Sequence, residues 1–160
     1  MLITQGGRFG GYGFYLLKGK PVFLWNLFDL KRMKWEGPEP LGPGKHVVEF
    51  DFRYAGLGAG TMAFGSYAGI GKGGTGVLRV DGKAVATQTM ESTVPFILQW
   101  DEALDVGSDT GTSVNDADYS SPFPFNGKLN KITLTIDRPK LSPEDVKKLE
   151  QARRNNKVSE

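Results

Sequence analysis

The stretch from His46 to Tyr54 reads HVVEFDFRY, and its apolar and charged side chains alternate. Successive side chains of a β-strand point to opposite faces, so this period of two predicts a strand with one buried and one solvated face. The buried face takes Val48, Phe50, Phe52 and Tyr54, and the solvated face takes Glu49, Asp51 and Arg53. A half-buried strand of this kind is typical of antiparallel sheets.

Turn signals on both sides of this strand predict β-hairpins. Asp81-Gly82 lies between the apolar residues of 77–80 and those of 83–87, and Asp-Gly is a strong hairpin signal because both turn positions require a positive φ angle. Residues 18–21, Lys-Gly-Lys-Pro, separate two further runs at 12–17 and 22–27. More strands are predicted over 30–35, 95–100 and 129–136, the last with Ile132, Leu134 and Ile136 pointing inward.

Loops rich in Gly, Pro and Asp separate these strands, which together predict an all-β fold, an antiparallel sandwich. Three loops are long: residues 37–44 are rich in Pro and Gly, residues 55–74 are very rich in Gly, and residues 101–121 are acidic and polar. Loops of this length in a compact domain are often functional.

The end of the chain changes from strands to a short helix. Ser142 is a good N-cap, Pro143 suits the first helical position, and the two acidic residues that follow complement the helix dipole. The apolar stripe of this helix is narrow, which indicates a surface position. We therefore predict a β-sandwich domain over residues 1–139 and a C-terminal surface helix and tail over residues 140–160.

Composition argues against several classes of function. The 160 residues fit one domain, and a net charge of +2 without any basic run does not indicate a nucleic-acid partner. No apolar run approaches the ~18–20 residues of a membrane span. There is no cysteine, and His46 is the only histidine, so disulfides, thiol nucleophiles and Cys- or His-rich metal sites are excluded. The N-terminal residues are too polar for a signal peptide, and a Cys-free chain is compatible with reducing and secretory compartments alike.

The solvated face of the strand predicted over 46–54 carries two carboxylates. Glu49 and Asp51 lie about 7 Å apart at a rise of ~3.4 Å per residue. Some sandwich glycosidases carry Glu-x-Asp-x-Glu on one strand, with the outer glutamates as nucleophile and acid. Here Arg53 takes the last position, and a guanidinium cannot donate the proton. We interpret these charges as a solvated strand face.

The acidic loop is a candidate calcium site. Ca²⁺ prefers several oxygen ligands from a bendable loop, and the loop offers Asp105, Asp109, Asp116 and Asp118. The spacing is not that of an EF-hand, and Asp side chains also bond to the backbone amides of their own loops. We favour such a network, without a metal or other cofactor, and keep a structural Ca²⁺ as the alternative.

Aromatic side chains are the other candidates for binding. Tyr12, Trp25, Trp35, Trp100 and Tyr119 could stack on sugar rings or lie at an interface. For most of them we favour core packing, because aromatic residues dominate the energetics of cores.

Several motifs in one order resemble the C-terminal region of large bacterial arylsulfatases, members of the alkaline-phosphatase-like sulfatase family. The resemblance covers most of the chain, from about Thr4 to Ile136. It rests on GGRFGGYGFY at 6–15, GKPVF at 19–23, WNL at 25–27, GGTGVLRVDGK at 73–83, FILQWDE at 96–102, DVGSDTGT at 105–112 and FNGKL at 125–129.

The resemblance implies a concanavalin-like, jelly-roll sandwich that follows a sulfatase catalytic domain. A sulfatase needs Cys/Ser-x-Pro-Ser-Arg, which matures to formylglycine, and an Asp/Asn metal cluster. This chain has no such pentapeptide, so no catalytic residue carries over. We therefore expect a non-catalytic accessory domain whose partner is a sulfatase catalytic domain in the same or a separate chain. It would border the substrate entrance or an oligomer interface, such as that of a homo-oligomer. The alternative is a free-standing, lectin-like carbohydrate-binding module.

Overall fold

A computed structural model describes residues 1–55, 71–93 and 102–136, together with residues 142–144, 146–147, 150–151 and 154. Within these ranges the chain forms ten strands. In chain order they are β1 Ile3–Gly7, β2 Gly10–Leu17, β3 Lys20–Leu27, β4 Lys31–Glu36, β5 Val48–Tyr54, β6 Gly71–Val80, β7 Lys83–Thr93, β8 Leu104–Val106, β9 Ser108–Asp109 and β10 Phe123–Pro124.

The strands form two main antiparallel sheets. The larger has five strands in the order β4-β3-β2-β1-β8, and the smaller has three in the order β5-β6-β7. Short strands β9 and β10 form a separate antiparallel pair. The two main sheets pack face to face, so the predicted all-β antiparallel sandwich is confirmed.

Two hairpins close on the residues that the sequence indicates. Between β6 and β7, Asp81 and Gly82 have φ angles of 50° and 79°, as a two-residue turn with two left-handed positions requires. Between β2 and β3 the turn is tighter than predicted, because Lys18 and Gly19 occupy the left-handed region at 51° and 82°. Lys20 already belongs to β3 and pairs with Leu17.

Aromatic side chains fill the space between the two sheets, which we call the inter-sheet core. Its buried residues are Trp25, Trp35, Leu78 and Met90, with Phe14, Phe23, Leu27, Met33, Phe50, Phe52, Val85 and Ala86 packed against them. The rings of Phe23 and Phe50 stack across the interface at a centroid distance of 3.5 Å. The indole N–H of Trp35 donates to the carbonyl of Gly76 at 2.9 Å, which joins the sheets by a buried hydrogen bond.

Glycine in β6 makes room for these rings. A Cβ on Gly76 would lie 2.6 Å from Phe50 and 2.8 Å from Trp35, and a Cβ on Gly74 would lie 2.7 Å from Phe52. The predicted glycine-rich loop ends earlier than expected, because residues 71–74 belong to β6. Gly74 leaves room for the Phe52 ring of the neighbouring strand, and Gly76 lets Trp35 of the opposite sheet approach.

A second core lies on the other face of the five-stranded sheet, and we call it the loop-side core. Its buried residues are Met1, Tyr15, Val22, Leu24, Val114 and Tyr119. Val114 and Tyr119 come from the predicted acidic loop, whose apolar side chains cover the sheet. Val114 packs directly on β2, where a Cβ on Gly13 would lie 2.8 Å from it.

The predicted strand over 129–136 is wrong. Among the described residues this segment forms no strand, and Leu134 and Ile136, expected inside, are 61% and 83% exposed. Alternation offers a potential buried face, but a strand also needs a hydrogen-bonding neighbour, and no described segment pairs with this one.

Conversely, the sequence does not predict β1, because ITQGG has no period-two pattern. The strand predicted over 95–100 lies outside the described residues.

Helical residues follow Ser142, at the predicted N-terminus. The described helical positions are 143–144, 146–147, 150–151 and 154, and the amide of Val146 donates to the carbonyl of Ser142 at 3.0 Å. Val146 is exposed. Over the described part of the chain, no helix has the length and apolar character needed to cross a membrane.

Candidate functional site

The acidic loop is held by hydrogen bonds from its own hydroxyl and amide groups. Glu102 accepts the amide of Thr112 at 2.9 Å and also a short bond from its hydroxyl. Asp105 accepts the amide and the hydroxyl of Thr110 at 2.7 and 2.6 Å. The hydroxyl of Thr110, followed by its amide, holds the pKa of Asp105 below its usual value. Both carboxylates thus act as local caps of the loop backbone, as Asp commonly does in turns.

Asp109 is the carboxylate that the fold buries. One oxygen accepts the hydroxyl of Tyr119 at 2.5 Å, and the other accepts the amide of Gly111 at 3.2 Å. Burial raises the pKa of Asp109 above its usual value, and these two donors work against that shift. The hydroxyl of Tyr119 in turn accepts the amide of Val114 at 3.3 Å. Through the Tyr119 hydroxyl, Asp109 therefore connects the loop to Tyr119 and Val114, which lie in the loop-side core.

Asp118 joins the loop to the five-stranded sheet. It accepts the hydroxyl of Tyr15 at 2.5 Å, and the ammonium group of Lys34 lies 3.0 Å away. Burial, followed by the bond to Asp118, raises the pKa of Tyr15 far above its usual value. Asp116 lies elsewhere, in an exposed pair with Arg8 at 3.6 Å.

The structure does not bring the four calcium candidates together. Asp105 and Asp109 border one cavity of about 110 Å³, together with Glu102 and small residues. Asp116 and Asp118 take other partners. Within the described ranges, no group of three or more His, Asp or Glu side chains is placed to hold a metal ion. Sequence reasoning missed Glu102 as a member of this loop network, although the acidic residue preceding the motif at 105–112 is a signal for it.

Calcium is expected to leave the stability of the protein unchanged, because the carboxylates already have donors. Thermal unfolding is followed with added Ca²⁺ and then with a chelator. A site occupied at ~100 times its dissociation constant would add ~2.7 kcal/mol, or roughly 5–10 °C for a domain of this size. A chelator-sensitive rise of that size, lost in Asp109→Ala and kept in Asp116→Asn, would show that the loop binds calcium.

Three of the five candidate aromatic residues are core residues. Trp25 and Trp35 lie in the inter-sheet core and Tyr119 in the loop-side core, all with almost no exposed surface. They have no ring face available to a sugar, because each ring is covered by the opposite layer. This corrects their selection as binding residues in favour of core packing. Tyr12 is half-buried, with its ring stacked on Phe23 at 5.6 Å, and Trp100 lies outside the described residues.

The charged face of β5 forms ion pairs with its neighbours. The carboxylate of Asp51 lies 3.7 Å from the guanidinium of Arg53 and 3.6 Å from that of Arg79 on β6. Alternating charges that pair across strands are typical of a solvated sheet face.

One further buried polar residue organises the end of the five-stranded sheet. The amide group of Asn26 donates to the carbonyls of Gly7 and Arg8 at 3.1 and 2.9 Å, and its oxygen accepts the amide of Asp29 at 3.1 Å. Asn26 thereby ties the β1–β2 turn to the β3–β4 turn.

No family model, curated protein or solved structure matches this chain. The resemblance to sulfatases therefore rests on the sequence motifs alone.

Proposed function

We propose that this chain is a non-catalytic accessory domain of an arylsulfatase-type sulfuric ester hydrolase, which packs on the catalytic domain. The order of the motifs suggests that the domain belongs to an arylsulfatase. The accessory role is supported by one observation: the motif residues make packing contacts and hydrogen bonds that stabilise this domain. Their glycines seat side chains of the opposite layer, and their polar groups bond to one another.

The glycine motifs illustrate this. In the motif at 6–15, Gly13 lies against Val114, and in the motif at 73–83, Gly76 lies against Trp35. Asn26 of the motif at 25–27 fixes the turn inside the first motif through Gly7 and Arg8. These three motifs form a framework that holds its layers together.

The acidic motif at 105–112 behaves in the same way. Asp105 and Asp109 accept amide and hydroxyl hydrogens from within the loop or from the core residue Tyr119. Groups committed to such contacts position a loop and keep it rigid. A rigid loop layer over a sheet is suited to an accessory domain that lies against another domain.

An exposed apolar surface supports the packing role. Phe9 lies in the β1–β2 turn and Leu30 in the β3–β4 turn, and they are 60% and 86% exposed. Phe28, beside Leu30, is also exposed and has a positive φ angle of 52°, which is uncommon for an aromatic residue. Exposed apolar side chains collected at one end of a sheet are typical of surfaces that contact another protein.

The purified chain is expected to show no hydrolysis of an aryl sulfate, with or without divalent metal. The reason is that formylglycine chemistry needs a Cys/Ser-x-Pro-Ser-Arg, and this sequence has none. The measurement is release of the phenol from 4-nitrophenyl sulfate. Turnover that co-purifies with the chain through a further column would contradict the proposal.

A second test of the proposal examines the coding sequence around this chain. An in-frame Cys/Ser-x-Pro-Ser-Arg upstream would support the proposal, and the longer protein should then hydrolyse the aryl sulfate. An isolated reading frame, with binding of the chain to oligosaccharides that Tyr12→Ala abolishes, would favour the carbohydrate-binding alternative instead.

A further inference from the structure

The connection between the two sheets is tied down at both ends. Residues 37–47, which we call the crossover loop, lead from β4 of the larger sheet to β5 of the smaller one. On the larger sheet, the amide of Gly37 donates to Pro21 at 2.8 Å and that of Leu41 to Gly19 at 2.9 Å. On the smaller sheet, Val47 bonds through its amide to the carboxylate of Asp81 at 2.8 Å.

The only histidine of the chain lies at the second of these ends. Nδ1 of His46 is 2.8 Å from the carboxylate of Asp81, in the turn between β6 and β7. Nε2 of the same ring is 3.0 Å from the carbonyl of Gly42, in the crossover loop. Both neighbours are hydrogen-bond acceptors only. A neutral imidazole has a single N–H group, so only the imidazolium can donate to both.

We propose that His46 is a proton-operated latch that fastens the crossover loop to the β6–β7 turn. In the protonated form the ring bridges Gly42 and Asp81 and closes the loop on the smaller sheet. Loss of the proton leaves one of the two acceptors without its donor, and the loop loosens from the turn. This inference is independent of the sulfatase proposal, because it uses none of the groups invoked there for packing or catalysis.

The charged groups around the ring favour the bridged state. Asp81 faces His46 from the turn, and the Gly42 carbonyl faces it from the loop. Lys45 precedes His46 in sequence and Lys83 follows the β6–β7 turn, but in the described part of the chain neither forms an ion pair with Asp81. The hydrogen bond to Asp81, followed by that to Gly42, raises the pKa of His46 above its usual 6.5. The Val47 amide, followed by His46, lowers the pKa of Asp81.

The direction of the pH dependence follows from this shift. The pKa of His46 is higher in the folded protein than in the unfolded chain, so protonation favours the folded, latched form. The stabilisation is complete below about pH 6.5, the value for the unfolded chain. It is lost as the pH rises through the higher pKa of the folded protein.

A nuclear magnetic resonance titration tests the latch, since a single histidine gives one set of imidazole signals. We expect the imidazole to titrate above about 6.5 in the wild type. The backbone amide signals of Gly42 and Val47 should move along the same curve. In Asp81→Asn the midpoint should fall, and in His46→Gln the two amides should lose this transition.

Asp29→Asn is the matched control, because Asp29 also has a positive φ angle in a hairpin turn but does not contact His46. This variant should leave the imidazole midpoint unchanged. An imidazole that titrates at or below its usual value in the wild type would overturn the proposal. So would amide transitions at Gly42 and Val47 that persist in His46→Gln.

Discussion

Trp35→Ala is expected to lower the free energy of unfolding by about 3–5 kcal/mol, the range for large-to-small changes in a packed core. Trp35 is fully buried between the sheets, and its ring makes edge contacts with Phe23 and Phe50 at 5.9 and 5.1 Å. Removal of the indole leaves a cavity that the two sheets cannot close without sliding. Chemical denaturation followed by far-ultraviolet circular dichroism measures the loss.

Trp35→Phe separates packing from hydrogen bonding at this position. The phenyl ring keeps much of the aromatic contact, but the carbonyl of Gly76 loses the indole donor. An unsatisfied buried acceptor costs about 1–3 kcal/mol, so this variant should lie between the wild type and Trp35→Ala. If Trp35→Ala changed the stability by less than about 1 kcal/mol, the inter-sheet core described here would be wrong.

Tyr119→Ala is expected to have a similar effect, about 3–5 kcal/mol, by removing the anchor of the acidic loop. The ring of Tyr119 stacks on Phe123 at 4.4 Å and meets Tyr15 edge-on at 5.3 Å. Its hydroxyl joins Asp109 to the amide of Val114. The variant should therefore expose the loop-side face of the five-stranded sheet as well as lower the stability. Binding of a hydrophobic dye and urea denaturation are the two measurements.

Tyr119→Phe isolates the hydroxyl and has a pH signature. The pKa of Asp109 is already raised by burial, and loss of the Tyr119 donor should raise it further. The hydroxyl favours the ionised carboxylate, so the variant should be more destabilised at pH 7 than at about pH 3, below the usual pKa of Asp, where Asp109 is protonated. Tyr12→Phe is the control, because the hydroxyl of Tyr12 makes no hydrogen bond within the described residues. An equal loss of stability at both pH values would contradict the role given to Asp109.

Part of the candidate site could be predicted, because some of its contacts join residues that are close in sequence. The expectation that Asp residues of the acidic loop bond to nearby amides needs only short separations in sequence, such as that between Asp105 and Thr110. The contacts of Asp118 with Tyr15 and Lys34 join residues more than 80 positions apart, and no local pattern indicates them. Trp25, Trp35 and Tyr119 are core residues for the same reason, because the sequence shows a large ring but not the layer that covers it.

The sequence by itself determined the local elements. Period-two alternation in residues 46–54 specifies β5, and Asp81-Gly82 specifies a hairpin, because strand faces and left-handed turn positions depend on neighbouring residues alone. Only the tertiary structure decided which of the apolar faces are covered by another layer. It placed the apolar residues of an acidic loop over one face of the larger sheet, and it left Leu134 and Ile136 exposed. Burial depends on which layer lies opposite, and that layer comes from distant parts of the chain.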